Sequence, residues 1–304
     1  MSKLCIGTVQ FGMKYGVNNA IGRKPSRQES FEMLDYALTH GIDTIDTARA
    51  YGDAELLLGE YFRNRQSLNH IKIISKLRPN VIEKGEKDIA GVMRREIEES
   101  LDRMSITSLD GYLLHTPEYI YNAKIQDALC SLKEQNYVKN IGVSIYNIED
   151  GYAAIKTGIV NYMQLPYSIL DQRGIKTGMI QEAKKLGITI FTRSAFLQGL
   201  FMMPQTEIPD YLQQVCPYLN IFDRILGEYG VDKVSALLRF VTYEKDIDYL
   251  VFGVEKKEQL EENIMKAVRE DVPDECILEL KKQIGEVGES IIFPSLWANG
   301  RRAE

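Results

Sequence analysis

Eight times along this chain a short apolar run is followed by a longer stretch whose apolar residues recur every three to four positions. The apolar runs are 4–7, 42–46, 71–77, 109–115, 138–144, 161–167, 188–194 and 249–254. They read as strands. None alternates cleanly between apolar and polar, as expected where both faces of a strand are buried. Ser26 and Glu29 form a capping box for the first helix, which places Phe31, Leu34, Ala37 and Leu38 inward and stops at Gly41. Helical periods follow at 56–63, 88–104, 123–135, 149–156, 177–186 and 234–243, with closing helices at 259–267 and 274–284. In the long helix 88–104, Val92, Ile97 and Leu101 are expected to face the core. Strand then helix, eight times over, predicts a (β/α)8 TIM barrel in one domain spanning 1–304. A doubly wound sheet is the rival. It is set aside because eight units are countable and no Gly-x-Gly-x-x-Gly follows the first strand. The glycine-rich stretch 7–22 reads as loop, and so does the proline-punctuated region 195–233; 290–304 reads as a polar tail.

A chain of 304 residues that is 44% hydrophobic can fill one large core. It carries 43 acidic and 37 basic residues, a net charge of -6, with no basic face, so nucleic acid is not an expected partner. No apolar run approaches the roughly 20 residues of a membrane span. The first residues lack the apolar core of a signal peptide. Cys5, Cys130, Cys216 and Cys276 are far apart and form no Cys-x-x-Cys pair, which argues for reduced thiols in a cytoplasmic protein. The three histidines show no ligand spacing, so no metal site is expected.

Chemistry concentrates where the strands end. Asp46 closes the second apolar run, Tyr51 follows five residues later, Lys76 sits at the end of the third and His115 at the end of the fourth. In a barrel these carboxyl ends converge on one mouth. A free tyrosine, with a pKa of about 10, is a reluctant acid. A neighbouring ammonium is expected to lower that pKa. Lys76 can supply it, Asp46 can hold Lys76, and His115 can donate a hydrogen bond to a carbonyl oxygen. Taken singly, each has a plainer reading: a helix cap for Asp46, a turn tyrosine for Tyr51, a surface ion pair for Lys76, a core imidazole for His115.

The run Asp46-Thr47-Ala48 … Tyr51-Gly52 … Glu55 … Leu58-Gly59 resembles the signature of the aldo-keto reductases. The set Asp46, Tyr51, Lys76 and His115, the last in His-Thr-Pro, resembles that family's catalytic tetrad. The resemblance runs from about Leu4 to Asn263 and implies a nicotinamide cofactor. By it, Ser144 and Gln164 would hold the carboxamide. Ser194 to Leu200, with Phe196 and Gln198, would cover the pyrophosphate, and Thr8 would join the cofactor site. Gly253, Lys256, Gln259, Glu262 and Asn263 would hold the adenosine end, with Glu262 and Asn263 on adenine. The implied activity is NAD(P)H-dependent reduction of an aldehyde or ketone by a monomer, with NADP(H) preferred and NAD(H) possible.

Three departures stand out. Ile145 follows Ser144 where the family often has Asn. Arg193 stands where an aromatic usually stacks under the nicotinamide, and a planar guanidinium can take that place. Glu255 stands in a segment that often carries an arginine for the 2'-phosphate; Lys256 and Lys257 could serve instead, while a carboxylate beside the ribose would favour NADH. Two other functions stay open: a cofactor-binding regulatory or redox-sensing protein with little turnover, and a Schiff-base lyase or isomerase using Lys76. Met202 and Met203 read as flexible fillers at the pocket rim. Trp297 in the tail lines the substrate pocket or packs on the barrel's outside. Sugar-like and small aliphatic carbonyls are both compatible with the rim.

Overall fold

The computed structural model describes residues 3–19, 21–63, 70–268 and 271–297. Eight parallel strands close into a barrel in chain order. They are β1 (Lys3–Gly7), β2 (Thr44–Asp46), β3 (Lys72–Leu77), β4 (Leu109–Leu114), β5 (Val138–Ser144), β6 (Tyr162–Pro166), β7 (Thr189–Arg193) and β8 (Tyr249–Gly253). Closure comes from β8 pairing on β1, from Lys3 with Tyr249 to Gly7 with Gly253. The repeats therefore build the (β/α)8 barrel that their order requires.

Side chains two apart on a strand share a face. That rule sorts the barrel interior into storeys. Inward residues low in the strands include Cys5, Ile74, Leu113, Phe191, Tyr249 and Val251, which form one buried cluster with Tyr162 packed against it. Phe191 and Tyr249 stack with ring centroids 4.5 Å apart. Two residues further on come Gly7, Lys76, His115, Arg193 and Gly253, at the mouth. A second and larger core fills the space between the strands and the outer helices.

The capping box forms: Ser26 Oγ accepts from Glu29 N–H, and Ser26 N–H donates to the Glu29 carboxylate at 2.6 Å. Helix Ile89–Met104 starts at Asp88, whose carboxylate accepts from Gly91 N–H at 3.0 Å. Met93, Ile97 and Leu101 are buried there. Met93 takes the position expected of Val92, which lies at the margin.

Region 195–233 is more ordered than its prolines suggest. It holds helix Cys216–Tyr229, which buries Leu219, Phe222, Ile225 and Leu226. Pro217 lies in that helix's first turn, where a missing N–H costs nothing. The helix expected at 177–186 is Met179–Lys185, and a separate turn, Arg173–Lys176, precedes it across Gly178, whose φ is +79°. The glycine-rich stretch after β1 contains one helical turn, Val9–Gly12. Trp297 is buried and donates from its indole N–H to the carbonyls of Ser290 and Ile291, both at 3.1 Å. The tail beyond it, 298–304, lies outside the described residues.

Candidate active site

Lys76 has no exposed surface. Its ammonium donates to Asp46 Oδ1 at 2.7 Å, to Oδ2 at 2.8 Å and to the Thr47 carbonyl at 2.9 Å. Gln164, reaching across from β6, donates to Asp46 Oδ1 at 2.7 Å. Asp46 thus links three strands. Lys76 Nζ stands 3.5 Å from the Tyr51 hydroxyl, a long contact of the kind that tightens when a site fills. The rings of Tyr51 and His115 meet edge to face with centroids 5.8 Å apart.

Tyr51 is set by its backbone. A Cβ on Gly12 would lie 1.7 Å from the Tyr51 carbonyl oxygen, and one on Gly52 would lie 2.5 Å from the Gly12 carbonyl oxygen. Only glycine pairs this closely. Arg103 clamps the loop from outside, donating to the Gly52 carbonyl at 2.9 Å. The same guanidinium reaches buried Glu55 at 3.2 Å, and Glu55 accepts from Ser75 Oγ at 2.8 Å. Gly59 lets this helix approach the next, because a Cβ there would lie 2.0 Å from the Arg103 carbonyl oxygen. The signature's Gly52, Glu55 and Gly59 are therefore scaffolding for Tyr51.

The expected lowering of the Tyr51 phenol by Lys76 does not occur. Burial first, then the Asp46 carboxylate, push that phenol up, with Arg193 pulling the other way. Burial of the phenol and the nearby Asp46 carboxylate outweigh the Lys76 ammonium, which both Asp46 oxygens hold. Burial also pushes the Lys76 amine down, against the Asp46 carboxylate. His115 is held at about 3 by burial and by the Lys76 and Arg193 charges, so its ring is neutral. Its Nδ1 has no hydrogen-bond partner among the described residues.

A cavity of about 470 Å³ opens above this group. Asp46, Tyr51 and His115 lie on its wall with Thr8, Ser144 and Arg193. Ser194, Phe196 and Gln198 line its middle. Gly253, Glu255, Gln259, Glu262 and Asn263 line the part beside helix Lys257–Val268. Three expected site residues are off the wall. Lys76 and Gln164 are buried behind Asp46, and Lys256 is exposed. Gln164 accordingly contacts Asp46 and, at 3.4 Å, Ser144 Oγ.

The middle is a strap in unusual backbone geometry. Ser194, Leu197, Gln198 and Gly199 have φ of 70°, 44°, 55° and 87°. It is latched to the loop after β1: Val17 and Asn18 N–H donate to the Gln198 carbonyl at 3.1 and 3.4 Å, and Gln198 Nε2 donates to Tyr15 Oη at 3.0 Å. Arg193 lays its guanidinium 4.1 Å above the Tyr146 ring and donates to the Ile145 carbonyl at 3.2 Å. Tyr15, Tyr146 and Gln10 are wall residues that sequence reasoning missed. Tyr146 was within reach of it, two residues past Ser144 on a mouth loop. Tyr15 and Gln10 become neighbours of the site only when β1 meets β8.

The cavity's polar groups suit an extended dinucleotide. Gln10 Oε1 is buried without a donor among the described residues, and it faces Gly253, where a Cβ would come within 2.1 Å of it. Hydroxyls, backbone groups and a guanidinium lie at one end, and side-chain amides at the other. Among the described residues no three His, Cys, Asp or Glu side chains cluster as a metal site, and no helix is long and apolar enough to cross a membrane.

Comparison with known sequences yields a match to the aldo/keto reductase family over residues 3–282. The chain belongs to that family. Among its relatives, aldo-keto reductase str7 of Strobilurus tenacellus is 25% identical over 237 residues, covering 77% of this chain and 68% of the relative. Oxidoreductase sirO of Leptosphaeria maculans is 23% identical over 298 residues, covering 86% and 87%. The aldo-keto reductase AKR11C1 of Bacillus halodurans, solved in its holo form, superposes with a TM-score of 0.75 at 18% identity over 95% of both chains. At that identity the superposition speaks for the barrel alone. Family membership supports an oxidoreductase activity for this aldo/keto reductase.

Proposed function

We propose that this aldo/keto reductase reduces an aldehyde or ketone to an alcohol with NAD(P)H, Tyr51 delivering the proton. One observation carries the reading. A fully buried Lys76 ammonium, held on both oxygens of Asp46, comes within 3.5 Å of a phenol on the cavity wall beside a neutral imidazole.

The dihydronicotinamide supplies a hydride when bound. The chain's residues do the rest. His115, neutral, donates one N–H to the carbonyl oxygen and orients it. Tyr51 gives its proton to the oxygen as negative charge grows there, and Lys76 stabilises the phenolate left behind. Asp46 and Gln164 keep Lys76 in place. Ser144 would hold the carboxamide, Arg193 would take the place of an aromatic beside the nicotinamide, and the strap Ser194–Gly199 with Thr8 would hold the pyrophosphate. Gln259, Glu262 and Asn263 would hold the adenosine. Lys76 is off the wall and already has three acceptors, which disfavours a Schiff base.

Tyr51→Phe tests this directly. Turnover should fall by on the order of 100-fold or more while cofactor affinity stays within a few-fold, because the hydroxyl acts in the chemical step. A fully active Tyr51→Phe enzyme sinks the mechanism.

A further inference from the structure

We infer that Arg193 sets an unpaired positive charge at the reacting end of the cavity, so that the site holds the reduced cofactor more tightly than the oxidised one. The inference rests on the reading above that the cavity holds a nicotinamide dinucleotide. It concerns the charge of Arg193, which no aromatic ring in its place would carry.

The other charges at this end are accounted for. Lys76 and Asp46 offset one another, since both carboxylate oxygens accept from the ammonium. His115 is neutral. Arg193 lies on the wall and gives its hydrogen bonds to uncharged acceptors, the Ile145 carbonyl at 3.2 Å and Ser194 Oγ at 3.4 Å. It pairs with no carboxylate among the described residues. Nor can it turn away freely. Its guanidinium lies 4.1 Å over the Tyr146 ring, and that ring meets Phe293 edge to face with centroids 5.6 Å apart. Arg173 fixes the Tyr146 carbonyl at 3.1 Å, but its own charge is met by Asp171 at 2.9 Å.

The Arg193 charge reaches the reacting groups: it pulls down both the Tyr51 phenol and the His115 imidazole. Hydride transfer needs the nicotinamide C4 about 3–3.5 Å from the carbonyl carbon, whose oxygen those two residues would hold. A charge that acts on them therefore acts on the ring. In the proposed step the C4–H bond breaks and its electron pair forms the new C–H bond. The carbonyl oxygen takes the Tyr51 proton, and the ring passes from neutral to a pyridinium cation. A guanidinium attracts a neutral π face and repels a cationic ring. The diphosphate carries the same charge in both forms, so replacing Arg193 leaves its contribution unaltered. The bound couple is accordingly a weaker hydride donor than the free one.

The test is calorimetric titration of the whole protein, wild type, Arg193→Gln and Arg193→Lys, with NADH and NAD+ and with NADPH and NADP+. Within the pair that binds, wild type should hold the reduced form at least about tenfold more tightly. That ratio moves the bound two-electron couple by about 30 mV. Arg193→Gln keeps a planar amide without the charge, so its ratio should fall to within a few-fold of unity. Arg193→Lys keeps the charge and should keep the ratio, even where both forms bind more weakly. Wild type that holds the oxidised form as tightly as the reduced, or more so, overturns the inference and leaves the cofactor reading intact. An unchanged ratio in a folded Arg193→Gln protein, or a lost ratio in Arg193→Lys, overturns it too. Binding of no dinucleotide to wild type defeats the cofactor reading itself, and this inference with it.

Discussion

Replacing Gly12 with alanine should disable catalysis from a residue that never touches substrate. The added Cβ would stand 1.7 Å from the Tyr51 carbonyl oxygen and 2.7 Å from Ala54 N. Real Cβ contacts essentially never fall under 3.0 Å, so the loop must retreat by about 1.3 Å, and a misplacement of about 1 Å in a reacting group costs on the order of 100-fold in rate. Rotamer changes cannot relieve the clash, because both atoms it meets are backbone. Nor can the loop drift outward freely, since Arg103 holds Gly52 at 2.9 Å. The strain should also cost about 1–3 kcal/mol of stability. Gly158→Ala is the control. Its φ is +70°, but nothing lies within 4 Å of the new Cβ, so it should cost about 1–2 kcal/mol for the left-handed backbone and leave turnover unchanged. Urea unfolding gives the stabilities, single-turnover reduction gives the rate, and fluorescence quenching gives cofactor affinity, which should hold within a few-fold. A Gly12→Ala enzyme that reduces within about twofold of wild type would refute the claim that this contact positions Tyr51.

Two further expectations concern charge. His115 is neutral above about 3 and the Tyr51 phenol is pushed up, so the reduction rate should be flat from about pH 6 to 9; a break near neutrality would contradict these assignments. The same depression of His115 makes the fold lose stability as pH falls from about 6.5 toward about 3, because the unfolded imidazole takes a proton that the folded one refuses. Urea midpoints should therefore drop less between neutral and acid pH in His115→Gln than in wild type; an equal drop would remove His115 as the cause. Arg193→Ala should weaken cofactor binding about tenfold by removing a stacked guanidinium, and unchanged affinity and hydride transfer would mean that Arg193 does not replace the aromatic.

The barrel was legible because parallel strands buried on both faces are written as short apolar runs, and eight of them can be counted. That Asp46, Tyr51, Lys76 and His115 would meet was legible because each sits at or just past a strand end, where barrel geometry gathers side chains whatever their separation in sequence. Direction was harder to read than position. Lys256 is adjacent to Glu255 in the chain yet points away from the cavity, and no periodicity signals that. The sign of the Tyr51 shift also lay beyond the sequence. Lys76 and Asp46 could be paired on paper, but only their geometry shows that both oxygens hold the ammonium. Helix Cys216–Tyr229 is hidden in the sequence because Pro217 reads as loop punctuation, although proline is at home in a first turn. Tyr15 and Gln10 depend on barrel closure, which no local window contains.

On the proposed mechanism, the storeyed interior bears on how a turnover cycle is completed. Beneath Lys76 lie Ile74, Leu113, Val251 and the stacked rings of Phe191 and Tyr249. This floor is largely apolar, and its tyrosine hydroxyls meet Lys72 at 3.0 Å and Asp110 at 2.8 Å rather than Lys76. In the proposed reaction, a proton that Tyr51 gives up would be replaced not through this floor but from the mouth, the side by which substrate enters and product leaves.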